Sequence, residues 1–348
     1  MAVRRFLQTF VLNAEVRAGS HSFQLMAILR NRSPVAVATQ LGKFYQLNTM
    51  PTAYLTKTDT GATLTTWCYC FMWQLLAAER EGYRAYISWP CDRLRWLHAH
   101  WDDAQFAKQP NAFDWYFEQP HFEAGVIPPC DEVWQWEAKP GDKHAELVGR
   151  HCPYGLPRDE RRAFFQKNLR LNSAVKDRGE GLAAKYSIDF NNTLAVTWRG
   201  TACTLDGRPR MPIETYFPFI DDILAREPNL RILATAEEET ILDPLMARYP
   251  QAFKISEWVA APLGAKDNPE KVFRHIPGYE RGMQPALMVY ILSKCRHLIK
   301  NRSSVASVAS WLSQSTGDLV CLAHPENLGH GFDLTKAEVN GQLVPLNR

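Results

Sequence analysis

In the second half of the chain, short apolar runs alternate with longer segments whose apolar residues recur every three or four positions. The short runs predict strands and the longer segments predict helices. The predicted strands lie at 193–198, 231–235, 253–256, 297–301 and 318–323. The predicted helices between them lie at 212–227, 237–250, 282–296 and 303–313. Strict alternation of this kind favours a parallel, doubly wound sheet. An Asn-Gly pair at 340–341 adds a hairpin signal.

The first half is less regular. A helix is predicted at 63–82, where Gly82 suits a C-cap, and a strand is predicted at 84–89. The segment 89–160 is rich in tryptophan and proline and predicts loops with short helices. A further helix is predicted at 158–179, followed by an inter-lobe joint bracketed by Gly179 and Gly181. We therefore predict an α/β protein with two Rossmann-like lobes, at 1–180 and 181–348, in which residues 1–56 have no assigned place.

The composition is that of an ordinary globular protein. A length of 348 residues suits two domains, and 46% hydrophobic with 22% charged residues excludes a disordered chain. A net charge of +3 gives no case for wholesale nucleic-acid binding, so no nucleic-acid partner is expected. The amino-terminal segment is too polar for a signal peptide, and no run approaches 18 apolar residues. These features predict a cytoplasmic protein with no transmembrane segment, or the catalytic part of a protein whose anchor is absent.

The motifs of several common enzyme classes are missing from the sequence. No G-x-G-x-x-G follows a strand and no Walker P-loop occurs, which disfavours nicotinamide, flavin and NTP-hydrolysing enzymes. The eight cysteines form no C-x-x-C pair, and no D-x-D occurs that would hold a sugar donor through a metal. We therefore expect neither a cofactor nor a metal ion.

Two features could bind an anion. Arg199 directly follows the strand at 193–198, and the carboxyl ends of parallel strands face the crevice where α/β folds bind ligands. A guanidinium can hold a diphosphate through two hydrogen bonds. Ser303 and Ser304 begin the predicted helix at 303–313, where backbone N–H groups and Arg302 could add to the site. The alternatives are a surface salt bridge for Arg199 and an ordinary helix cap for the serines.

Five segments carry a resemblance to a known family. The sequence TLAVTWRGT, with PIETY beginning thirteen positions after Arg199, resembles H-V-R-R-T-D-K … P-I-E-E-Y of the core α1,6-fucosyltransferases. The segments 232–250 and 287–307 are similar to their L-A-T-D-D-P … K-Y-P and F-L-S … S-S-Q-V stretches, and YCFM at 69–72 repeats a piece of their first helix. FQKNLRL at 165–171 is similar to F-R-N-I-K-L-R of the rhizobial nodulation fucosyltransferase. The segments keep the family's order over about 60–90 and 161–313.

The resemblance implies a GT-B-like fold whose two lobes face a cleft. It implies inverting, metal-independent transfer of fucose from GDP-fucose, with the donor against the carboxyl-terminal lobe and a glycan or other hydroxyl as acceptor. Arg199 matches the diphosphate-binding arginine, and Ser303 and Ser304 match serines near the β-phosphate. The chain departs from the family pattern at Thr197 (a histidine in the family), Gly200 (the second arginine), Cys203 (a lysine), Ala236 (the first aspartate of T-D-D) and Met288 (the aspartate that reads guanine).

These matches define the predicted site. Its donor-binding residues are Thr197, Arg199, Glu237, Met288, Arg302, Ser303 and Ser304, where Glu237 is the acid nearest to the lost aspartate. The predicted catalytic residues are Arg199 and, as base, Asp206; Glu214 is the second candidate base, and the alternative for Asp206 is a turn former before Gly207.

The tryptophans of 89–136 could form an acceptor surface, because indole faces stack on sugar rings, or could belong to a core. Two other functions stay open. One is a transferase for a different nucleotide sugar. The other is a carbohydrate- or nucleotide-binding protein without turnover, which the missing second arginine and aspartates would suit.

Overall fold

The computed structural model describes residues 50–56, 64–89, 109, 111–123, 125–135, 156–199, 211–238, 240–258, 276, 278–301, 303–327 and 331–346. By its internal contacts the chain forms two compact units, Met1–Met50 and Pro51–Arg348. All described helices and strands lie in the second unit. The predicted boundary at residues 180 and 181 falls inside this unit and stays a prediction.

The elements follow one another in a largely alternating order. The first are β1 (Thr52–Thr56), α1 (Leu64–Arg80), β2 (Arg84–Ile87), β3 (Phe117–Glu118), β4 (Glu132–Gln135), α2 (Arg158–Asn168), β5 (Arg170–Leu171) and α3 (Ser173–Lys185). They continue with β6 (Thr193–Trp198), α4 (Phe217–Arg226), β7 (Arg231–Ala236), α5 (Asp243–Arg248), β8 (Ala252–Phe253), α6 (Gly278–Lys294), β9 (His297–Lys300), α7 (Ser304–Leu312), β10 (Leu319–Asn327), β11 (Gly331–Val339) and β12 (Gln342–Pro345). Short 3₁₀ helices lie at Ala112–Trp115, Phe190–Asn192 and Ile213–Tyr216.

Two sheets carry most of the strands. A small sheet has the order β2-β1-β4 and is parallel throughout, and a seven-stranded sheet has the order β12-β11-β10-β9-β6-β7-β8. In the larger sheet every pair from β10 to β8 is parallel, and the pairs β10–β11 and β11–β12 are antiparallel. The predicted α/β class is confirmed, and so is the parallel sheet predicted for the second half, from β6 to β10.

The two faces of the larger sheet pack in different cores. Leu194, Val196 and Ile299 belong to a core with α4 and α5 on one face. Ala195 and Leu298 belong to a second core on the other face, which also takes in α3, α6 and α7. This second core includes buried residues of β1, α1 and β4 as well, so the small sheet and the larger one share apolar packing.

Most predicted elements of the second half are confirmed, with bounds that differ by a few residues in either direction. The strand at 193–198 is found with the predicted bounds, and Asn340 and Gly341 form the predicted hairpin turn with positive φ values of 51° and 89°. The helix predicted at 237–250 is reduced to the six residues of α5, whose first turn contains Pro244. In the first half, Gly82 ends α1 with φ of 83°, and Tyr83 N donates to Ala78 O in the Schellman pattern.

The helix predicted at 158–179 is wrong in its extent. It breaks after Asn168, because Arg170 and Leu171 are extended and pair with the short strand β3. Asn172 then caps a new helix, α3, by accepting a hydrogen bond from Val175 N.

The two glycines predicted to bracket a joint lie inside α3 instead. Gly179 allows α3 to lie against α6, since a Cβ at this position would come within 2.2 Å of the Tyr290 ring. The glycine therefore serves close helix packing and not a change of chain direction.

His297 lies buried at the amino end of β9, and its two ring nitrogens have different partners. Nδ1 accepts a hydrogen bond from Asp318 N at 2.9 Å, and Nε2 lies 3.1 Å from Glu227 Oε1. The acceptor role of Nδ1 requires the neutral ring. Burial lowers the pKa of His297, while Glu227 and Asp318 act in the opposite direction.

The unfolding free energy is therefore expected to fall as the pH decreases from about 7 to 5. Below the ordinary histidine pKa of about 6.5, the unfolded chain takes up a proton that the folded chain resists. One such proton contributes a slope of up to about 1.4 kcal/mol per pH unit. Urea unfolding at several pH values measures it, and His297→Asn, which keeps an acceptor but does not titrate, should reduce the dependence. Equal pH dependence in both proteins would contradict the assignment.

No helix in the described part of the chain is both long enough and apolar enough to cross a membrane.

Candidate functional site

The carboxyl ends of three neighbouring strands meet at one edge of the larger sheet. β6 lies between β7 and β9, and the register pairs Trp198 with Ala236 and Thr197 with Lys300. The residues that follow these strands, Arg199, Glu237 and Asn301, are therefore neighbours although they are distant in sequence. This is the edge at which open α/β sheets bind their ligands.

Arg199 is held at this edge through its backbone. The side-chain amide of Asn301 makes two hydrogen bonds with it: Arg199 N donates to Oδ1 at 3.0 Å, and Nδ2 donates to Arg199 O at 2.7 Å. Asn301 is 3% exposed, so this clamp is shielded from water. The clamp fixes the Cα position of Arg199 relative to β9.

The side chain of Arg199 lies against the end of β7. Its Nε is 2.8 Å from Glu237 Oε1, and the two side chains are 23% and 36% exposed. The ion pair joins two residues that the sequence assigned to the donor site. It places an accessible guanidinium beside a carboxylate at the ligand-binding edge.

The start of α7 lies at the same edge, two residues after Asn301. Ser303 is its N-cap, and the Ser303 hydroxyl accepts a hydrogen bond from Ala306 N at 3.3 Å. Ser304 is the first residue of the helix. The cap confirms the predicted helix start, and the positive end of the helix dipole is directed towards the edge that carries Arg199.

Thr197 is buried in β6, and its carbonyl accepts a hydrogen bond from the Tyr216 hydroxyl at 3.2 Å. Trp198 Nε1 donates to Met211 O at 2.8 Å. The second contact brings Met211 close to the end of β6, beside the site. The segment 200–210, with the predicted base Asp206, lies outside the described residues, and so does Arg302. Glu214, the second candidate base, is exposed in the 3₁₀ helix before α4.

Met288 has a different setting from the other predicted residues. It is the eleventh residue of α6, about 15 Å along the helix axis from Gly278. Its side chain is partly buried and packs against the core that α6 shares with α3 and α7. Within the described contacts, nothing joins Met288 to Arg199 or Ser303.

The described tryptophans of the 89–136 region belong to the core. Trp89, Trp115 and Trp134 are each 3% exposed or less. These three tryptophans therefore belong to the core and do not form an acceptor surface. The remaining tryptophans of the region lie outside the described residues. The acceptor site stays a prediction without assigned residues.

A separate polar cluster lies at the carboxyl end of β2. The carboxylate of Asp114 accepts hydrogen bonds from Gln119 Nε2 at 2.8 Å and from Asn111 Nδ2 at 3.0 Å. Burial raises the pKa of Asp114, and the amide donors oppose that shift. Asn111 Oδ1 also accepts from Trp89 N. The cluster therefore ties the 3₁₀ helix at 112–115 to β2, which is a structural role.

Sequence reasoning missed Asn301 and Lys300. The only signal was their place in IKNRSS, between a predicted strand and a predicted helix cap. An asparagine there suggests a turn, and its hydrogen bonds to Arg199 become visible only once β9 is placed beside β6.

No family model matches the sequence, and a search of curated proteins finds no match. Solved structures are similar to the chain at low identity. The NodZ α1,6-fucosyltransferase soaked with GDP-fucose is 15% identical, covers 85% of this chain and 99% of its own, and has a TM-score of 0.42. A mutant of Arabidopsis thaliana FUT1 in complex with GDP is 12% identical, with 87% and 77% covered and a TM-score of 0.42.

A glycosyl transferase of family 9 from Veillonella parvula is also similar, with 12% identity, 76% of this chain and 79% of that chain covered, and a TM-score of 0.32. The first of the three is a fucosyltransferase of the group that the sequence segments resemble.

Proposed function

We propose that this protein is a glycosyltransferase that binds a nucleotide-diphosphate sugar at the carboxyl edge of its larger sheet. The observation that carries the proposal is the position of Arg199, clamped by Asn301 beside the start of α7. The order of the five sequence segments that resemble α1,6-fucosyltransferases supports it independently. Arg199 lies in one of those segments, and Ser303 and Ser304 lie in another.

The diphosphate would lie between Arg199 and the first turn of α7. A planar guanidinium matches two phosphate oxygens, and backbone N–H groups at a helix start favour an anion. Glu237 is the counter-ion of Arg199 in this structure. On donor binding the phosphate takes over that role, and Glu237 becomes available to the sugar or ribose hydroxyls.

In the proposed reaction, the acceptor oxygen attacks the anomeric carbon while the bond to the β-phosphate oxygen breaks. Negative charge grows on the departing diphosphate. Arg199 and the start of α7 therefore stabilise the transition state more strongly than the ground state. The acceptor proton goes to a carboxylate. Asp206 is our candidate, and Glu214 is the second. Attack from the face opposite the diphosphate inverts the anomeric centre, and this scheme assigns no step to a metal ion.

We propose GDP-fucose as the donor because the resembling segments are those of fucosyltransferases. Met288 stands where the family has a guanine-reading aspartate, so guanine recognition must come from other groups. Glu237 and backbone carbonyls are the candidates. A pocket that lacks one charged hydrogen-bond partner loses about 1.5–3 kcal/mol of selectivity for guanine.

Calorimetric titration of GDP, UDP, ADP and CDP tests the donor. We expect GDP to bind most tightly, with a margin over the other three of less than about a thousandfold, or about 4 kcal/mol. Arg199→Ala should weaken all four, because the diphosphate is common to them. Tighter binding of UDP, ADP or CDP than of GDP would contradict the GDP assignment and indicate a different nucleotide sugar. Binding of GDP-fucose without transfer to any hydroxyl acceptor would indicate a protein that binds its ligand without turnover.

A further inference from the structure

A row of four buried polar side chains crosses the larger sheet just below the candidate site. Thr235, Thr197, Lys300 and Cys321 lie side by side in β7, β6, β9 and β10, since the register pairs each with the next. Each of the four is at most 9% exposed. Two residues earlier in each strand, the same face carries an apolar core residue: Leu233, Ala195, Leu298 and Leu319. The row is therefore the first polar layer between this core and the candidate site.

Side-chain alternation places this row on the face of the sheet that carries Ala195, Leu233 and Leu298, next to the strand ends that lead to the ion pair of the site. Successive residues of a strand point to opposite faces, and residues two apart share one. Arg199 follows Thr197 by two positions, and Glu237 follows Thr235 by two. The row therefore lies two positions before Arg199 and Glu237 along the chain, on the face that α7 covers.

Lys300 is the charged member of the row, and its neighbours are uncharged. Its Nζ donates to Ser307 Oγ at 3.2 Å and to Cys321 Sγ at 3.3 Å. Among the described residues, no carboxylate lies within ion-pair distance of Nζ. An ammonium has three donors, and a thiol is a weak acceptor. Burial of a cation without a counter-charge is costly, so the fold carries this charge at the expense of stability.

The position of Nζ relates this charge to the anion site. Ser307 follows the N-cap Ser303 by one helical turn, and Ser307 N donates to Ser303 O at 2.9 Å. Nζ therefore lies about one turn below the helix start, in a region where water does not screen it. A positive charge there adds to the helix dipole that faces the ligand-binding edge.

We propose that Lys300 is a buried electrostatic residue that increases the affinity of this edge for a diphosphate. It supplies a further positive charge to the site, in a chain that has Gly200 after Arg199 where the family has a second arginine. The proposal rests on the proposed function, because it assumes that the diphosphate of the donor lies between Arg199 and α7. The charge of Lys300 attracts the diphosphate through space, and Lys300 also contacts α7 through Ser307. The cost of burying this charge is offset only when the anion is bound.

The first test is Lys300→Met, which keeps an unbranched side chain one heavy atom shorter and removes the charge. Calorimetry with GDP and with inorganic pyrophosphate should show affinities lower by about tenfold or more, whereas the affinity for guanosine, which has no phosphate, should not change. Urea unfolding without ligand should show equal or greater stability. A residue with only a structural role would give the reverse pattern, with lower stability and unchanged pyrophosphate affinity.

A matched pair at Cys321 tests the charge without changing Lys300. Cys321→Asp places a carboxylate beside Nζ and neutralises it, and should weaken pyrophosphate binding as Lys300→Met does. Cys321→Asn has the same shape without the charge and should bind within about threefold of the original protein. Equal pyrophosphate affinity of the aspartate and asparagine variants would overturn the inference, including in the case that Lys300→Met does not fold.

Arg199→Ala separates this inference from the proposed function. If Arg199→Ala weakens pyrophosphate binding while Lys300→Met and Cys321→Asp do not, the result supports the proposed donor site and contradicts the proposed role of Lys300. If none of the three weakens it, the diphosphate does not bind at this edge, and both proposals fall.

Discussion

Replacement of Arg199 by alanine is expected to lower the rate of sugar transfer by about a hundredfold or more, the usual loss when a group that stabilises developing charge is removed. Asn301 binds only the backbone of Arg199, so the clamp and the strand should survive the change. The measurement is turnover with the donor that calorimetry identifies, together with urea unfolding to show that the fold is retained.

Arg199→Lys should also lose most of the activity, because an ammonium cannot make the bidentate contact with a phosphate. Arg296→Ala is a matched control: Arg296 lies before β9 at the opposite edge of the same sheet, where it pairs with Glu227. It should leave turnover within about twofold, as exposed ion pairs contribute little. A folded Arg199→Ala protein that keeps a near-normal rate would show that the site lies elsewhere.

Phe165→Ala is expected to lower the unfolding free energy by about 3–5 kcal/mol. The Phe165 ring is fully buried in α2 and stacks on Trp311 of α7, with ring centroids 5.1 Å apart and an interplanar angle of 17°. Loss of the ring leaves a cavity between two helices that the surrounding backbone can fill only in part. Because α7 also carries the capped start at Ser303, the change should weaken GDP binding as well. Urea unfolding, with the slope compared between proteins, measures the first effect.

Phe164→Ala provides the neighbouring control. Phe164 packs edge-on against Phe165 and is only partly buried, so its removal exposes less apolar surface and leaves a site open to water. Its cost should be clearly smaller than that of Phe165→Ala. Equal costs at both positions would mean that the stack on Trp311 does not hold α7 to α2.

The fold of the second half could be predicted because each element is encoded locally. The strand at 193–198 is a short run of apolar and β-branched residues, and its bounds in the structure are those of the pattern. The break in the helix predicted at 158–179 could not be foreseen, because Arg170 and Leu171 pair with a strand about fifty residues earlier in the chain. The local pattern at 170–171 is helical, but pairing with β3 gives these residues an extended conformation, and the local sequence does not indicate this pairing.

The candidate site was predictable in its charged residues but not in what holds them. Arg199 and Ser303 stand at a strand end and a helix start, which the sequence shows. The contact of Arg199 with Glu237 and the clamp from Asn301 depend on strand order, and the sequence does not determine which strand lies beside β6. The position of Lys300 beside the site could not be predicted for the same reason, because its neighbours come from β10 and α7.

The hairpin at the end of the larger sheet has a consequence for solubility. β10 is nine residues long, and β11 covers one of its sides; the sheet then ends in β12, which has four residues and contains Pro345. At the other end, β8 has two residues. Short edge strands, one of them lacking a backbone donor, offer little for a second molecule to pair with. A chain cut before residue 331 would present the bare side of β10 as a template for intermolecular sheet growth, and would collect in aggregates under conditions where the full chain stays dispersed.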